Sequence, residues 1–336
     1  GEDIARLRQE GTEVIVVSSG AVALGARHLG RRLSRQKLSE SQAAAAIGQI
    51  QLAHAYQNVM AAHGLNVAQL LLTIDDTETR RRYLNARDTI FTLLDMGVIP
   101  VVNENDTVAT SEIRYGDNDR LAARVAQMIS ADALIILSDV DGLYTADPAS
   151  DTTARLIEEV EEISPEIEAM AGKPKPMGVG SGGMITKVAA ARIALSAGCD
   201  VLITSGLTTR PITTYRDSGK GTWFRAEESP LALRKQWIAG TLNPAGVLVV
   251  DEGAEHALGN GKSLLPAGVV RVEGKFDRGD AVVLRNEAGE ELARGLCAYS
   301  STEAAKIAGH KTGEIEAILG YQGRGELVHR DNMVVF

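Results

Sequence analysis

Val98-Ile99-Pro100-Val101-Val102-Asn103-Glu104-Asn105-Asp106 is the stretch from which the fold can be read. Its first half is a short, mostly β-branched apolar run. That suits a buried strand and is too brief for a helix. Four polar residues follow immediately, and none has a hydrophobic role. The same arrangement recurs on both sides. Residues 14–17, 67–72, 133–137 and 201–204 are further apolar runs. Between them, residues 41–62, 85–96, 119–129 and 184–197 read as helices, with Ser41 as a cap and Gly64, Gly97 and Gly198 as stops. Residues 4–8 read as the end of an amphipathic helix stopped by Gly11. Short strands alternating with helices imply βαβ units and a buried, mostly parallel sheet, the α/β class. In such sheets ligands bind beyond the carboxyl ends of the strands.

The 336 residues suffice for two domains at roughly 150 residues each. After Asn243-Pro244 the strands shorten and turn signals crowd together, as at Asn286-Glu287-Ala288-Gly289. We therefore expect a boundary between Trp237 and Gly246, with one domain over 1–240 and a β-rich one over 246–324 with a tail to 336. The net charge of −9 argues against a protein that coats nucleic acid electrostatically. Cys199 and Cys297 have no metal-ligand spacing and read as thiols in a reducing compartment. No apolar run approaches the roughly 20 residues of a membrane span. No signal peptide is visible, although the chain starts at Gly1 without a methionine.

Polar segments sit where the sheet would place a site. Ser18-Ser19-Gly20-Ala21 follows the run at 14–17, and its small residues let backbone N–H groups approach an anion; it also reads as a plain tight turn. Gly116-Asp117-Asn118-Asp119 precedes a helix. One of these residues would serve as a cap, and three exceed that need. With residues 103–106 they offer carboxylates and amides for an ammonium group, or for Mg²⁺ held through water. Ser138-Asp139 ends another strand and leads to Gly142-Leu143-Tyr144-Thr145-Ala146-Asp147-Pro148, either a nucleotide-holding turn or a turn only. Gly178 to Gly183 has G-x-G-x-x-G spacing, but Lys173-Pro174-Lys175-Pro176 before it disfavours the strand that a dinucleotide fold needs. What remains is a glycine loop opening a helix, with Thr186 and Lys187 in its first turn beside unpaired N–H groups that suit phosphate. Gly261-Lys262-Ser263 lacks the earlier glycine of a P-loop, since His256 stands there, and reads as a surface turn. The six histidines form no ligand pattern.

In order along the chain, Ser18-Ser19-Gly20-Ala21, Leu84-Asn85-Ala86-Arg87-Asp88, residues 102–106 and 116–119, Asp139 with residues 142–148, and Ser181 to Lys187 resemble the glutamate 5-kinase family of the amino acid kinase superfamily. Trp237, Val250-Asp251-Glu252-Gly253-Ala254, residues 263–268, Gly279-Asp280 and Ala317-Ile318-Leu319-Gly320-Tyr321 resemble the PUA domain that many members carry. The resemblance implies an open sheet sandwiched by helices, the amino acid kinase fold, plus a small PUA domain. It implies ATP-dependent phosphorylation of the glutamate side-chain carboxylate, the first step of proline synthesis. Glutamate contacts are implied at Ser19, Asp106 and Asn118. ATP contacts are implied at Ser138, Asp139, Ser181, Gly182, Gly183, Met184, Ile185, Thr186 and Lys187. Lys187 and Mg²⁺ would neutralise the transferring phosphoryl, and Asp139 would orient the nucleotide side or Lys187. Asp117 and Asp119 are the acids to tie to substrate or metal. A cytoplasmic homo-oligomer inhibited by proline is also implied; RNA binding by the PUA domain stays open. The family begins with a strand bearing Lys-x-Gly-Ser/Thr, whose lysine contacts the ATP phosphates. This chain opens inside the following helix. We therefore expect exposed apolar sheet surface, and either a shortened sequence or a polypeptide not fully active by itself. Two rival readings are an RNA-binding or regulatory protein with a degenerate kinase domain, and an amino acid kinase with another substrate.

Overall fold

The apolar runs form strands, and the helices between them bury one face against those strands. The computed structural model describes residues 1–30, 37–108, 118–148, 150–172, 183–239 and 244–336. The chain divides into two compact units, Gly1–Ser229 and Pro230–Phe336.

In the first unit, β1 (Val16–Val17), β2 (Val67–Leu72) and β3 (Ile99–Glu104) form a parallel sheet in the order β1-β3-β2. A second sheet contains β4 (Ala133–Ser138), β5 (Glu159–Val160), β6 (Asp200–Ser205) and β7 (Gly221–Phe224), in the order β4-β6-β7-β5. There β6 and β7 run antiparallel, and the other two pairings are parallel. The helices are α1 (Glu2–Gln9), α2 (Ala21–His28), α3 (Leu38–Ala61), α4 (Ile74–Glu78), α5 (Arg80–Asp95), α6 (Asn118–Ile129), α7 (Pro165–Met170), α8 (Met184–Leu195) and α9 (Pro211–Ser218).

Three local results differ from the sequence expectation. The run at 14–17 makes a ladder only at Val16 and Val17. Helix α3 begins before Ser41, at Leu38, with Lys37 in the cap position. A separate short helix, α4, precedes α5. It is started by a capping box in which Asp76 N–H donates to Thr73 Oγ1 while Thr73 N–H donates to Asp76 Oδ2.

Helix α6 joins the two sheets. Leu121, Val125 and Met128 enter the core formed by Leu70, Leu72 and Val102. Ala123 and Ala126, on its other side, enter the core of Ile136, Val188 and Ala191. Two apolar stripes on one helix explain why α6 packs on α8 as well as on sheet residues. Helices α2 and α3 meet backbone to backbone. A Cβ at Gly25 would lie 1.8 Å from the Ala44 carbonyl oxygen, and one at Gly48 would lie 1.8 Å from that of Ala21. Strands β1 and β4 each end their sheet, and Leu137 of β4 is 47% exposed.

The second unit contains α10 (Pro230–Ala239), β8 (Gly246–Val250), α11 (Glu252–Gly259), β9 (Val269–Gly274), β10 (Ala281–Arg285), β11 (Glu291–Leu296), α12 (Ser301–Ile307), α13 (Ile315–Leu319) and β12 (Met333–Val335). Its mixed sheet has the order β12-β11-β10-β8-β9, over a core that includes Leu248, Val282, Leu284, Tyr299 and Leu327. Helix α10 packs on β11 and β12.

Candidate active site

The site is built from strand ends. At the end of β1, Ser18 N–H donates to the Val102 carbonyl at 2.8 Å, so the ladder runs one residue past the strand. Ser19 and Gly20 then turn the chain into α2. Gly20 takes a left-handed conformation, φ 104°, which glycine adopts without the strain a side chain would bring. Gly20, in the cap position, has no side chain to accept from the first N–H groups of α2.

At the end of β3, Asn103 is 2% exposed and belongs to a chain of amides. Asn118 Nδ2 donates to the Ser18 carbonyl at 2.6 Å and to Asn103 Oδ1 at 3.2 Å. Asn103 Nδ2 in turn donates to Gln49 Oε1, on α3, at 2.6 Å. The turn beyond Asn103 is held by Asn105 N–H donating to the Leu72 carbonyl at 2.9 Å and by Thr107 Oγ1 donating to Asn105 Oδ1 at 2.6 Å. Burial raises the Asp106 carboxyl above its ordinary value. Among the described residues the Asp106 carboxylate has no hydrogen-bond partner. It is a desolvated acid, and among the described residues no cation is paired with it.

Asp119, next to Asn118, reaches another element. Its Oδ2 accepts from Lys187 Nζ at 3.1 Å and from Thr186 Oγ1 at 3.0 Å. Lys187 is 8% exposed, so its ammonium is buried against this acid. Both donors stand in the first turn of α8, after Gly183. Met184 and Ile185, expected at the nucleotide, pack their side chains on the core of the second sheet.

At the end of β4, Ser138 Oγ donates to Asp139 Oδ1 at 3.1 Å. Lys187 therefore pairs with Asp119, whereas Asp139 pairs with Ser138. The following turn is pinned by Thr222, which has no exposed surface. Thr222 Oγ1 accepts from Leu143 N–H at 2.8 Å and donates to the Ile157 carbonyl at 2.6 Å. A Cβ on Gly142 would fall 2.6 Å from that hydroxyl oxygen, so a side chain there would have to displace Thr222.

The structure thus joins Asn118 to the Ser18–Ser19 turn, and joins Asp119 to Thr186 and Lys187. Asp117, Ser181 and Gly182 lie outside the described residues. Sequence reasoning missed Gln49, the bonding role of Asn103, and Thr222. For Gln49 a signal existed: Gly48 and Ala44 are four apart in an Ala-rich helix, which marks a close helix contact beside it. Among the described residues, no group of three or more His, Cys, Asp or Glu side chains is placed to hold a metal ion.

A model of the amino acid kinase family matches residues 2–205, and one of the PUA domain matches residues 246–319. The chain belongs to the amino acid kinase family. Within it, the chain groups with the glutamate 5-kinases. It is 60% identical over 333 residues to the glutamate 5-kinase of Paramagnetospirillum magneticum, covering 99% of this chain and 90% of that one. It is 58% identical over 334 residues to that of Rhodospirillum rubrum, covering 99% and 89%. Among solved structures, UMP kinase from Ureaplasma parvum aligns over 66% of this chain and 87% of its own, at 14% identity and a TM-score of 0.42.

Proposed function

We propose that this chain transfers the γ-phosphoryl group of ATP to the side-chain carboxylate of glutamate, giving glutamate 5-phosphate as the first step of proline synthesis. The observation that carries the reading is the first turn of α6. There Asn118 is bonded into the Ser18–Asn103 cluster, and Asp119 holds Lys187 and Thr186 at the start of α8. An acceptor pocket and a phosphoryl-side cation are thereby tied to adjacent residues.

The chemistry requires little of the protein beyond placement. A glutamate carboxylate is already ionised at neutral pH, so no general base is needed. One carboxylate oxygen forms a bond to the γ-phosphorus as the bond to the β–γ bridging oxygen breaks, and ADP leaves. Catalysis then rests on alignment and charge neutralisation. Asp106 supplies a carboxylate to the substrate ammonium, and Asn118 Oδ1 a second acceptor. Ser19 and the N–H groups opening α2 receive the α-carboxylate. Lys187 neutralises the phosphoryl group. Backbone of residues 183–187, with Ser181 and Gly182, cradles the phosphates, and Ser138 and Asp139 face the nucleotide. Mg²⁺ carried by ATP phosphates needs only one or two protein carboxylates. Asp119 fits that need, with Asp117 beside it in sequence, and the ion would supply further positive charge.

Proline would act as feedback inhibitor by occupying the glutamate pocket. A cytoplasmic homo-oligomer is part of the same reading, and no described helix is long and apolar enough to cross a membrane. RNA binding by the PUA domain is a separate question that a salt-dependent binding assay addresses. The test of the main reading is ADP release from the full-length protein with glutamate, aspartate, N-acetylglutamate or carbamate as acceptor. Glutamate should be turned over fastest, by at least about a hundredfold. Faster turnover of another acceptor would overturn the assignment.

A further inference from the structure

Each amide in the chain from Ser18 to Gln49 has its orientation dictated by the previous one. The Ser18 carbonyl can only accept, so the Asn118 atom 2.6 Å away must be Nδ2. That nitrogen has two hydrogens, and the second is donated to Asn103, whose nearer atom must then be Oδ1. Asn103 consequently turns its Nδ2 toward α3, where it needs an acceptor, and Gln49 Oε1 supplies one at 2.6 Å. Asn103 is 2% exposed, so water is a poor substitute for that acceptor.

We infer that Gln49 is a positioning residue for the acceptor substrate: by accepting from Asn103 Nδ2 it anchors Asn103, whose Oδ1 takes the second Nδ2 hydrogen of Asn118 and so steadies the amide that the Ser18 carbonyl orients, leaving Asn118 Oδ1 for a ligand. This rests on the proposed reading of Asn118 as a glutamate contact. That Oδ1 presents a pure acceptor, as an ammonium group requires, and joins the Asp106 carboxylate, which has no hydrogen-bond partner among the described residues, in that task. A flipped Asn118 would offer two N–H groups instead and repel the ammonium. Gln49 reaches Asn103 because Gly48, its neighbour, lets α3 approach α2 to backbone contact. The substrate-facing amide is thus steadied, through Asn103, by a residue that never touches the substrate.

The test compares two replacements in the full-length protein. Gln49→Met keeps the length and removes the acceptor; Gln49→Glu keeps an acceptor while losing the amide donors and adding a carboxylate charge. We expect Gln49→Met to raise the glutamate KM about tenfold, the loss of one buried hydrogen bond, while the ATP KM and kcat stay within about twofold. Gln49→Glu should restore the glutamate KM to within about threefold of the parent value. A glutamate KM unmoved by Gln49→Met overturns the inference, and so does a Gln49→Glu protein as impaired as Gln49→Met. Should Gln49→Met fail to fold, the Gln49→Glu KM alone decides, since a tenfold rise there also overturns it. Asn118→Ala separates the two levels. If it raises the glutamate KM while Gln49→Met does not, only the positioning role falls; if Asn118→Ala leaves that KM unchanged, the reading of the pocket falls.

Discussion

Asn118 and Asp119 are consecutive, yet their side chains serve different elements: Asn118 Nδ2 donates to the Ser18 carbonyl at 2.6 Å, and Asp119 Oδ2 accepts from Lys187 Nζ at 3.1 Å. The first turn of α6 therefore fixes the turn after β1 and the first turn of α8 together. It can do so because the body of the helix carries two apolar stripes, one for each sheet core.

The Lys187–Asp119 pair should show strong coupling. Its side chains are 10% and 19% exposed, so neutralising one partner strands the other in a poorly solvated place. Breaking such a pair costs about 3–5 kcal/mol, much of it from the orphaned charge. Asp119→Asn should lower stability to urea by that order, and Lys187→Met added to Asp119→Asn should recover at least half of the loss. Additive losses in the double variant would show that the two groups do not depend on each other.

Asp106 should trade stability for binding. Its folded pKa is raised by burial, so the folded protein binds this proton more readily than the unfolded chain does. Ionised Asp106 therefore destabilises the ligand-free protein at neutral pH, and that penalty fades as pH falls through the raised folded value. Asp106→Asn is expected to raise the melting temperature at pH 7 by about 2 °C while weakening glutamate binding at least about tenfold. Titration calorimetry and a melting curve on the same sample check both halves. A variant that melts lower and binds glutamate normally contradicts the role.

Asp3 should mark acid sensitivity in the opposite sense. Burial alone would raise its pKa. The Thr213 hydroxyl, the Ile212 and Thr213 N–H groups and Arg6 outweigh burial and leave it below the ordinary carboxylate value. The carboxylate accepts from Ile212 N–H at 2.8 Å and so caps α9 from a distant part of the chain. A depressed folded pKa gives stability that is complete above the unfolded value of about 4 and is lost as pH falls through the folded one. Asp3→Asn should cost about 1–3 kcal/mol at pH 7, and the gap between parent and variant should close below about pH 4. A gap independent of pH would remove the carboxylate from the account.

Gly25→Ala and Gly48→Ala should each be severe. The added Cβ meets a backbone carbonyl, which cannot rotate aside as a side chain can. Better helix propensity offers about 1 kcal/mol in return, against overpacking of about 3 kcal/mol or more. A net loss of at least about 2 kcal/mol in denaturant unfolding is expected, with the exposed Ala43→Gly as the propensity control. Gly48→Ala proteins as stable as the parent would mean that α2 and α3 are not held in backbone contact.

Much of the site could be read from the sequence because polar residues that directly follow a buried strand have no packing purpose. Residues 103–106 stand out on that ground, Asn118 because its polar cluster exceeds what one helix cap needs, and Lys187 because it opens a helix after a glycine loop. What escaped depended on tertiary distance. Asp3 and Thr213 are 210 positions apart, and neither has a local pattern to announce the cap. Thr222 is one threonine in a four-residue strand. The choice between Asp119 and Asp139 as the partner of Lys187 turns on where the starts of α6 and α8 fall across two sheets, which no spacing encodes. For Gln49 the small residues beside it signal a close helix contact, but its bond is to Asn103, 54 positions away, and no local pattern encodes that.

The most direct measurement is steady-state kinetics of Asn118→Ala and Asp119→Asn side by side, with glutamate and ATP varied independently. We expect the first to raise the glutamate KM at least about tenfold with kcat nearly intact. The second should lower kcat at least about a hundredfold with the glutamate KM nearly intact. Two adjacent substitutions that move the same parameter, or none, would contradict a helix start that serves the acceptor with one residue and the phosphoryl group with the next.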